Sequence, residues 1–202
     1  AQGEVGQARA LYEKSLTLDP VQQEVSLALG TLLEREGRLA EARAHYEQLL
    51  QQCPTLADAH YNLGTVHLAE KRHDLAEACY REVVRLNPKH VGAWNNLGNT
   101  QVDLGLLDEA TESFKQAIRL NPRHAGAHNN LGNVLGSLAR YQEAIPCFEQ
   151  ALRIQPDSAD IYNNLGEAFS NGGMLGEAVH CFRQGLHLSP NNAELHNNLG
   201  RA

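Results

Sequence analysis

The side chains best suited to chemistry are asparagines that recur every 34 residues. They are Asn62, Asn96, Asn130, Asn164 and Asn198. An asparagine amide offers both a hydrogen-bond donor and an acceptor. A regular row of such amides can pair with the N–H and C=O groups of an extended peptide, whatever side chains the peptide carries. The spacing predicts a binding surface rather than a catalytic centre.

Histidines and cysteines are the other candidates, because the chain has ten of the first and four of the second. The closest histidine pair, His124 and His128, has an i, i+4 spacing, but no acid follows on the same face to orient the rings. The chain has no HExxH or CxxC motif and no paired nucleophile and base. The glycine of the repeated Asn-Asn-Leu-Gly is expected inside a helix, whereas a phosphate binds at a helix start. We therefore predict that this segment is not an enzyme and has no catalytic residue, no metal and no cofactor.

The elements that position these side chains follow from a period of 34 residues. Six prolines keep it: Pro20, Pro54, Pro88, Pro122, Pro156 and Pro190. So do the Leu-Gly pairs that begin at Leu29, Leu63, Leu97, Leu131, Leu165 and Leu199. An alanine column comprises Ala8, Ala42, Ala76, Ala110, Ala144 and Ala178, and an aromatic column comprises Tyr12, Tyr46, Tyr80, Phe114, Phe148 and Phe182. The chain is a repeat array.

This pattern resembles the tetratricopeptide repeat (TPR), a helix-turn-helix unit. The resemblance implies an all-α fold, a right-handed α-α superhelix of antiparallel helix pairs. With Leu-Gly at positions 7 and 8, the full repeats are 23–56, 57–90, 91–124, 125–158 and 159–192. Residues 1–22 are then the second helix of a partial repeat, and 193–202 are the start of a further one. We predict a single array over 1–202 that is part of a longer one, because neither end has a capping helix.

Within each repeat the first helix is predicted at positions 2 to 14, with apolar residues at positions 3, 7 and 10 facing inward. Glycine at position 8 costs about 1 kcal/mol relative to alanine inside a helix. We predict that it makes room for the aromatic side chain at position 24. Asp74 and Asp108 are predicted to cap second helices. Proline at position 32 is predicted to end the second helix, and Pro146 to bend one slightly.

The opposite stripe of the first helix, positions 2, 6, 9 and 13, lines the concave groove in TPR proteins. The candidate peptide-binding residues on this stripe are Asn62, Thr65, Asn96, Asn99, Asp103, Asn130, Asn133, Asp160, Asn164, Glu167 and Asn198. The position-6 asparagines resemble the asparagine ladder of the O-GlcNAc transferase superhelix, although Ala28 departs from it. The alternative interpretation is that these asparagines only solvate the groove wall.

Charge limits the partners. On the inner stripe six acids face two arginines, so we predict a polar to mildly basic protein or extended peptide as the partner. The lysine and arginine clamp of the chaperone-tail adaptors is missing, since position 5 carries Leu27, Tyr61 or asparagine. A net charge of −7 and a pI near 5.8 argue against nucleic acid, which needs clustered basic residues.

The compartment follows from cysteines and hydropathy. Cys79, Cys147 and Cys181 occupy one repeat position, so they are too far apart for disulfides, and Cys53 stands alone. Free thiols favour a reducing compartment, and we predict a cytoplasmic location. No apolar run approaches the ~20 residues of a membrane span, so no membrane partner is predicted.

The leading function is therefore a protein-interaction scaffold that binds an extended polypeptide in an asparagine-lined groove. One alternative is the substrate-recognition arm of an O-GlcNAc-transferase-like glycosyltransferase whose catalytic domain lies outside this segment. Another is a structural spacer that self-associates end to end through its incomplete repeats.

Overall fold

The structure is a computed structural model that describes residues 2–19 and 22–202. In that part of the chain all regular secondary structure is helical, as predicted, and twelve α-helices follow one another through short turns. The first six are α1 (Gln2–Leu18), α2 (Gln23–Arg35), α3 (Leu39–Gln52), α4 (Ala57–Ala69), α5 (His73–Leu86) and α6 (Val91–Asp103). The next six are α7 (Leu107–Leu120), α8 (Ala125–Ser137), α9 (Tyr141–Ile154), α10 (Ala159–Asn171), α11 (Leu175–Leu188) and α12 (Ala193–Arg201). Pro20, the first member of the proline column, lies outside the described residues.

Contacts between residues divide the chain into two compact units, 1–104 and 105–202. The boundary falls between α6 and α7, inside the predicted repeat 91–124. A single array over 1–202 therefore stays a prediction. In the first unit α2 packs on α3 and α4 on α5, and in the second α8 packs on α9 and α10 on α11, as the repeat pattern predicts. None of the helices in the described residues combines the length and the apolar character that crossing a bilayer requires.

The apolar stripe of the first helices forms the core. In α4, Ala59, Leu63 and Val66 expose at most 7% of their surface, so the prediction for positions 3, 7 and 10 is confirmed in this helix. Burial of these side chains stabilises the helix pair by removing apolar surface from water. The second helices end two residues before the prolines Pro54, Pro88, Pro122, Pro156 and Pro190. By contrast, α9 continues through Pro146 as one helix.

The glycines at position 8 allow the two helices of a pair to approach closely. A Cβ atom placed on Gly132 would lie 2.6 Å from the Phe148 ring, and one on Gly166 would lie 2.4 Å from the Phe182 ring. Carbon atoms in contact prefer about 3.5–4.0 Å. The prediction that position 8 admits the aromatic side chain of position 24 is confirmed for these pairs.

The prediction that Asp74 and Asp108 cap second helices is wrong. The N-cap residues are Arg72 and Leu106, which make no side-chain cap bond, and both aspartates lie in the first helical turn. There their charge is favourable because the helix dipole is positive at that end.

The turn between paired helices is closed by the backbone instead. Lys71 has a φ of 58°, and the N–H groups of Lys71 and Arg72 donate to the carbonyls of Leu68 and His67. This is a Schellman motif at the end of α4. Every position 15 shares the left-handed φ: Gly37, Lys71, Gly105, Ala139 and Gly173.

Candidate peptide-binding groove

The predicted groove residues lie on first helices, which are α2, α4 and α6 in the first unit and α8, α10 and α12 in the second. The contacts of α2 with α4 and of α8 with α10 bring consecutive stripes side by side. Exposed candidates are Thr65, Asp103, Asn133, Asp160 and Glu167; half-buried ones are Asn62, Asn96, Asn99, Asn130 and Asn164; Asn198 is buried. Each unit thus carries a polar face that is open to solvent on its outer positions and half-buried along position 6.

Three of the position-6 asparagines, Asn96, Asn164 and Asn198, bond to the preceding first helix of the same unit. The amide nitrogen of Asn164 donates to the Asn129 side-chain oxygen at 3.0 Å, and that of Asn198 donates to the Asn163 oxygen at 2.9 Å. Asn96 donates to the Tyr61 hydroxyl at 3.0 Å. Each bond joins position 6 of one repeat to position 5 of the repeat before it.

Position 5 therefore helps to hold consecutive first helices together, and sequence reasoning missed this. In the sequence, position 5 indicates only that the carboxylate clamp is missing, although asparagine recurs there in four consecutive repeats. The periodic Asn-Asn pair was the available signal. In the Asn163–Asn164 pair, Asn163 accepts the bond from Asn198, and Asn164 donates one to Asn129 of the repeat before.

The floor of the groove differs between the two units. In the first unit the hydroxyl of Tyr80 lies 3.2 Å from Thr65 Oγ1 and also receives a long bond from Asn96, at 3.5 Å. The Tyr46 hydroxyl donates to Glu34 at 2.6 Å. Burial raises the pKa of both phenols, so they stay neutral. In the second unit the equivalent residues are phenylalanines, which have no hydroxyl to fill the floor.

A cleft of about 390 Å³ opens at this level in the second unit. It is lined by Asn133, Gly136, Tyr141, Phe148, Asn164 and Glu167, among others. Three predicted groove residues, Asn133, Asn164 and Glu167, thus share one concave site.

The acidic groove residues have different surroundings. Asp103 in the first unit lies 3.2 Å from His73 Nδ1. In the second unit Glu167 accepts a bond from Asn198 at 2.8 Å, and Asp160 is exposed. A basic partner would therefore meet negative charge on the polar face of either unit.

Histidines have structural roles in the turns. The Nδ1 atom of His124 accepts the N–H of Ala127 at 2.9 Å and so caps α8. The Nε2 atom of His128 donates to the carbonyl of Pro122 at 3.0 Å. His60 and His196 repeat the bond to the proline carbonyl, as does Trp94 through its indole nitrogen. In the described residues no three His, Cys, Asp or Glu side chains come together in a way that could hold a metal ion.

We expect the stability of the first unit to depend on pH because of His67. It is buried at position 11, and this desolvation, together with Arg72, lowers its pKa below the usual 6.5. As the pH falls through 6.5 the unfolded chain therefore takes up the proton before the folded one, and stability is lost. We expect His67→Leu to remove this loss, because leucine occupies the same position in Leu33 and Leu135.

Urea unfolding at about pH 7.5 and about pH 5.5, on either side of the usual histidine pKa, measures the effect. The exposed His180, changed to leucine, is the matched control and should keep the pH dependence of the parent. An unchanged pH dependence in His67→Leu would contradict the assignment.

One family of known proteins matches the whole chain. The family model described as the cilia and flagella-associated protein 70 C-terminal domain matches residues 1–202. No curated relative was found by sequence comparison.

Solved TPR structures share the fold. The structure of YrrB, described as a TPR protein with an unusual peptide-binding site, is similar with a TM-score of 0.81 at 19% identity and covers 92% of this chain and 96% of its own. MamA is similar with a TM-score of 0.78 at 24% identity, over 82% of this chain and 97% of its own. The thermophilic TPR protein TTC0263 of Thermus thermophilus has a TM-score of 0.65 at 26% identity, over 88% of this chain and 97% of its own. The predicted TPR fold is confirmed.

Proposed function

We propose, from the premise that this chain belongs to the family of the cilia and flagella-associated protein 70 C-terminal domain, that it is a protein-interaction module that binds an extended polypeptide along its asparagine stripe. The family description supports a partner among the proteins of cilia or flagella. The observation that carries the proposal is the set of asparagine amides at position 6 in each unit, together with the exposed polar residues beside them. Four of these amides are half-buried, namely those of Asn62, Asn96, Asn130 and Asn164.

The hydrogen-bonding capacity of these amides supports the proposal. An asparagine side chain has two N–H donors and two acceptor sites. The bond from Asn164 to Asn129 uses one donor of Asn164 and one acceptor site of Asn129, so both amides keep further capacity. The same bond fixes the side chain in place, which lowers the entropy lost when a peptide binds.

The charge of the stripe supports a choice among partners. A guest backbone is uncharged, so the amides treat unrelated sequences alike. The exposed carboxylates of Asp58 and Asp160 lie on the same stripes and attract basic side chains. The amides that pair with the guest backbone thus provide the affinity, and the carboxylates of the stripe provide the selectivity.

Removing two amides tests the backbone contribution. We expect Asn96→Ala combined with Asn130→Ala to weaken the binding of many unrelated peptides by a similar factor, since each lost pairing contributes about 0.5–1.5 kcal/mol. Asp160→Asn should instead weaken basic peptides selectively and reduce the salt dependence of their binding. The measurement is fluorescence polarisation with a panel of extended peptides.

The matched control removes two exposed amides from second helices, Gln51→Ala with Gln150→Ala, and should bind like the parent. Circular dichroism confirms that each variant is folded at the assay temperature. If the double asparagine variant binds every peptide as well as the parent, the stripe is only a solvated wall, and the structural-spacer alternative gains support.

A further inference from the structure

We infer that the cleft between α8 and α10 is a subsite that receives one arginine side chain of the bound polypeptide. The inference rests on the proposed function, because the arginine arrives as part of an extended guest. It adds a defined preference to a surface that otherwise treats sequences alike.

The cleft exists because a side chain is missing at position 12. Gly132 also lines the cleft, but there the Phe148 ring occupies the space that a side chain would take. Gly136 stands at position 12, where the other repeats carry Glu34, Leu68, Val102 and Ser170. A Cβ atom on Gly136 would meet nothing within 4 Å, so the space above it is open. The first unit differs, since the hydroxyls of Tyr46 and Tyr80 extend into the groove floor to bond Glu34 and Thr65.

The lining suits a guanidinium group. The ring of Tyr141, which is half-buried, offers aromatic surface on which a planar cation stacks well. The side-chain oxygens of Asn133 and Asn164 can accept from its five N–H donors.

Glu167 supplies the charge. Its Oε1 atom accepts from Asn198 Nδ2 at 2.8 Å, so the carboxylate is already oriented before a guest binds. The stripe of the second unit also carries Asp160 and Glu194 but only one cation, Arg201. An anionic guest side chain would therefore meet like charge. Arginine is favoured over lysine because the Tyr141 ring offers a flat aromatic face and the walls present several acceptors.

The test uses four pools of fluorescein-labelled extended peptides. Their flanks are degenerate and uncharged, and the central residue is arginine, lysine, citrulline or glutamate. Citrulline has the shape of arginine without the charge. We expect the parent to bind the arginine pool about fivefold more tightly than the citrulline pool, as for an exposed ion pair. Lysine should fall between the two and glutamate should bind most weakly.

Two variants locate the preference in the cleft. Glu167→Gln keeps the oxygen that accepts from Asn198 and removes the charge, so arginine and citrulline should become equal. Gly136→Val fills the cleft with the side chain that Val102 provides in another repeat, and should have the same effect on selectivity. Glu149→Gln removes the same charge from an exposed site on α9 outside the cleft lining and should leave the preference intact.

The outcomes separate this inference from the function on which it rests. If all pools bind the parent equally, or if arginine stays preferred in Glu167→Gln and Gly136→Val, the subsite is wrong while peptide binding stands. If no pool binds the parent, the proposed function itself fails. A loss of preference in Glu149→Gln equal to that in Glu167→Gln would show a general charge effect and would overturn the subsite.

Discussion

Replacing Gly132 with alanine is expected to lower the free energy of unfolding by about 1–3 kcal/mol, the usual result of overpacking a core. The new Cβ atom would lie 2.6 Å from Cε1 of Phe148, a ring that is 2% exposed. The ring cannot move aside without disturbing Ala144, Ala151 and the rest of the core around it. The gain of about 1 kcal/mol in helix propensity offsets only part of this cost. Urea unfolding of the parent and the variant measures the difference.

The same substitution four residues later should have the opposite sign. Gly136 lies in the same helix, α8, and its Cβ position is open. Alanine there should therefore stabilise the protein by up to about 1 kcal/mol through helix propensity alone. Equal losses at the two glycines would mean that the packing of α8 against α9 is not as described.

The repeat pattern predicted the helix pairs because each of its columns has a packing cause that acts within one repeat. Glycine at position 8 and the aromatic residue at position 24 meet across one helix pair, so their spacing contains the contact. The helix ends before proline follow from local stereochemistry in the same way. These features can be derived from one repeat at a time.

The turns were predicted less well because two mechanisms can end one helix and begin the next. Aspartate near a helix start favours side-chain capping. The Schellman motif instead closes the turn with backbone hydrogen bonds to the last carbonyls of the preceding helix. It requires only a residue that tolerates a left-handed φ. Glycine at position 15 in three of five repeats indicates this motif. The indication is weakened because Lys71 and Ala139 adopt the same left-handed φ without being glycine.

The sequence could place the candidate groove residues together on one face of the first helices, but it could not predict the bonds that they form with one another. Whether an asparagine points to solvent or to a neighbouring helix depends on the distance between consecutive first helices. The cleft beside Gly136 is even harder to predict from the sequence, because it depends on a side chain that is absent in one repeat and on Glu167 in the next. Such features depend on packing between repeats and not on the pattern within one.

The other large loss of stability is expected where side-chain bonds join α10 to α12 in the second unit. Asn163 is 5% exposed; its oxygen accepts from Asn198, and its nitrogen donates to Glu194 Oε1 at 3.1 Å. Asn163→Ala removes both bonds and leaves the buried amide of Asn198 without one acceptor. We expect a loss of about 1–3 kcal/mol, which is the cost of a buried polar group without its partner.

The equivalent change in α8, Asn129→Ala, is the matched control. Asn129 is half-buried and accepts one bond, from Asn164, so its loss should be smaller, about 0.5–1.5 kcal/mol. Hydrogen exchange should show where the effect lies. In Asn163→Ala, protection should fall first in α12, which the Asn198 and Glu194 side chains tie to α10.

A double-mutant cycle decides whether the bonds or only the lost volume matter. If Asn163 and Asn198 act through their shared bond, the double alanine variant should lose less stability than the sum of the single variants, by about 0.5 kcal/mol or more. Simple additivity would mean that the two asparagines contribute independently and that the bond between them does not stabilise the helix pair. The same variants carry a binding readout, because Asn198 also orients Glu167 in the cleft. Asn198→Ala should therefore reduce the preference for arginine, although the Glu167 carboxylate itself is still present.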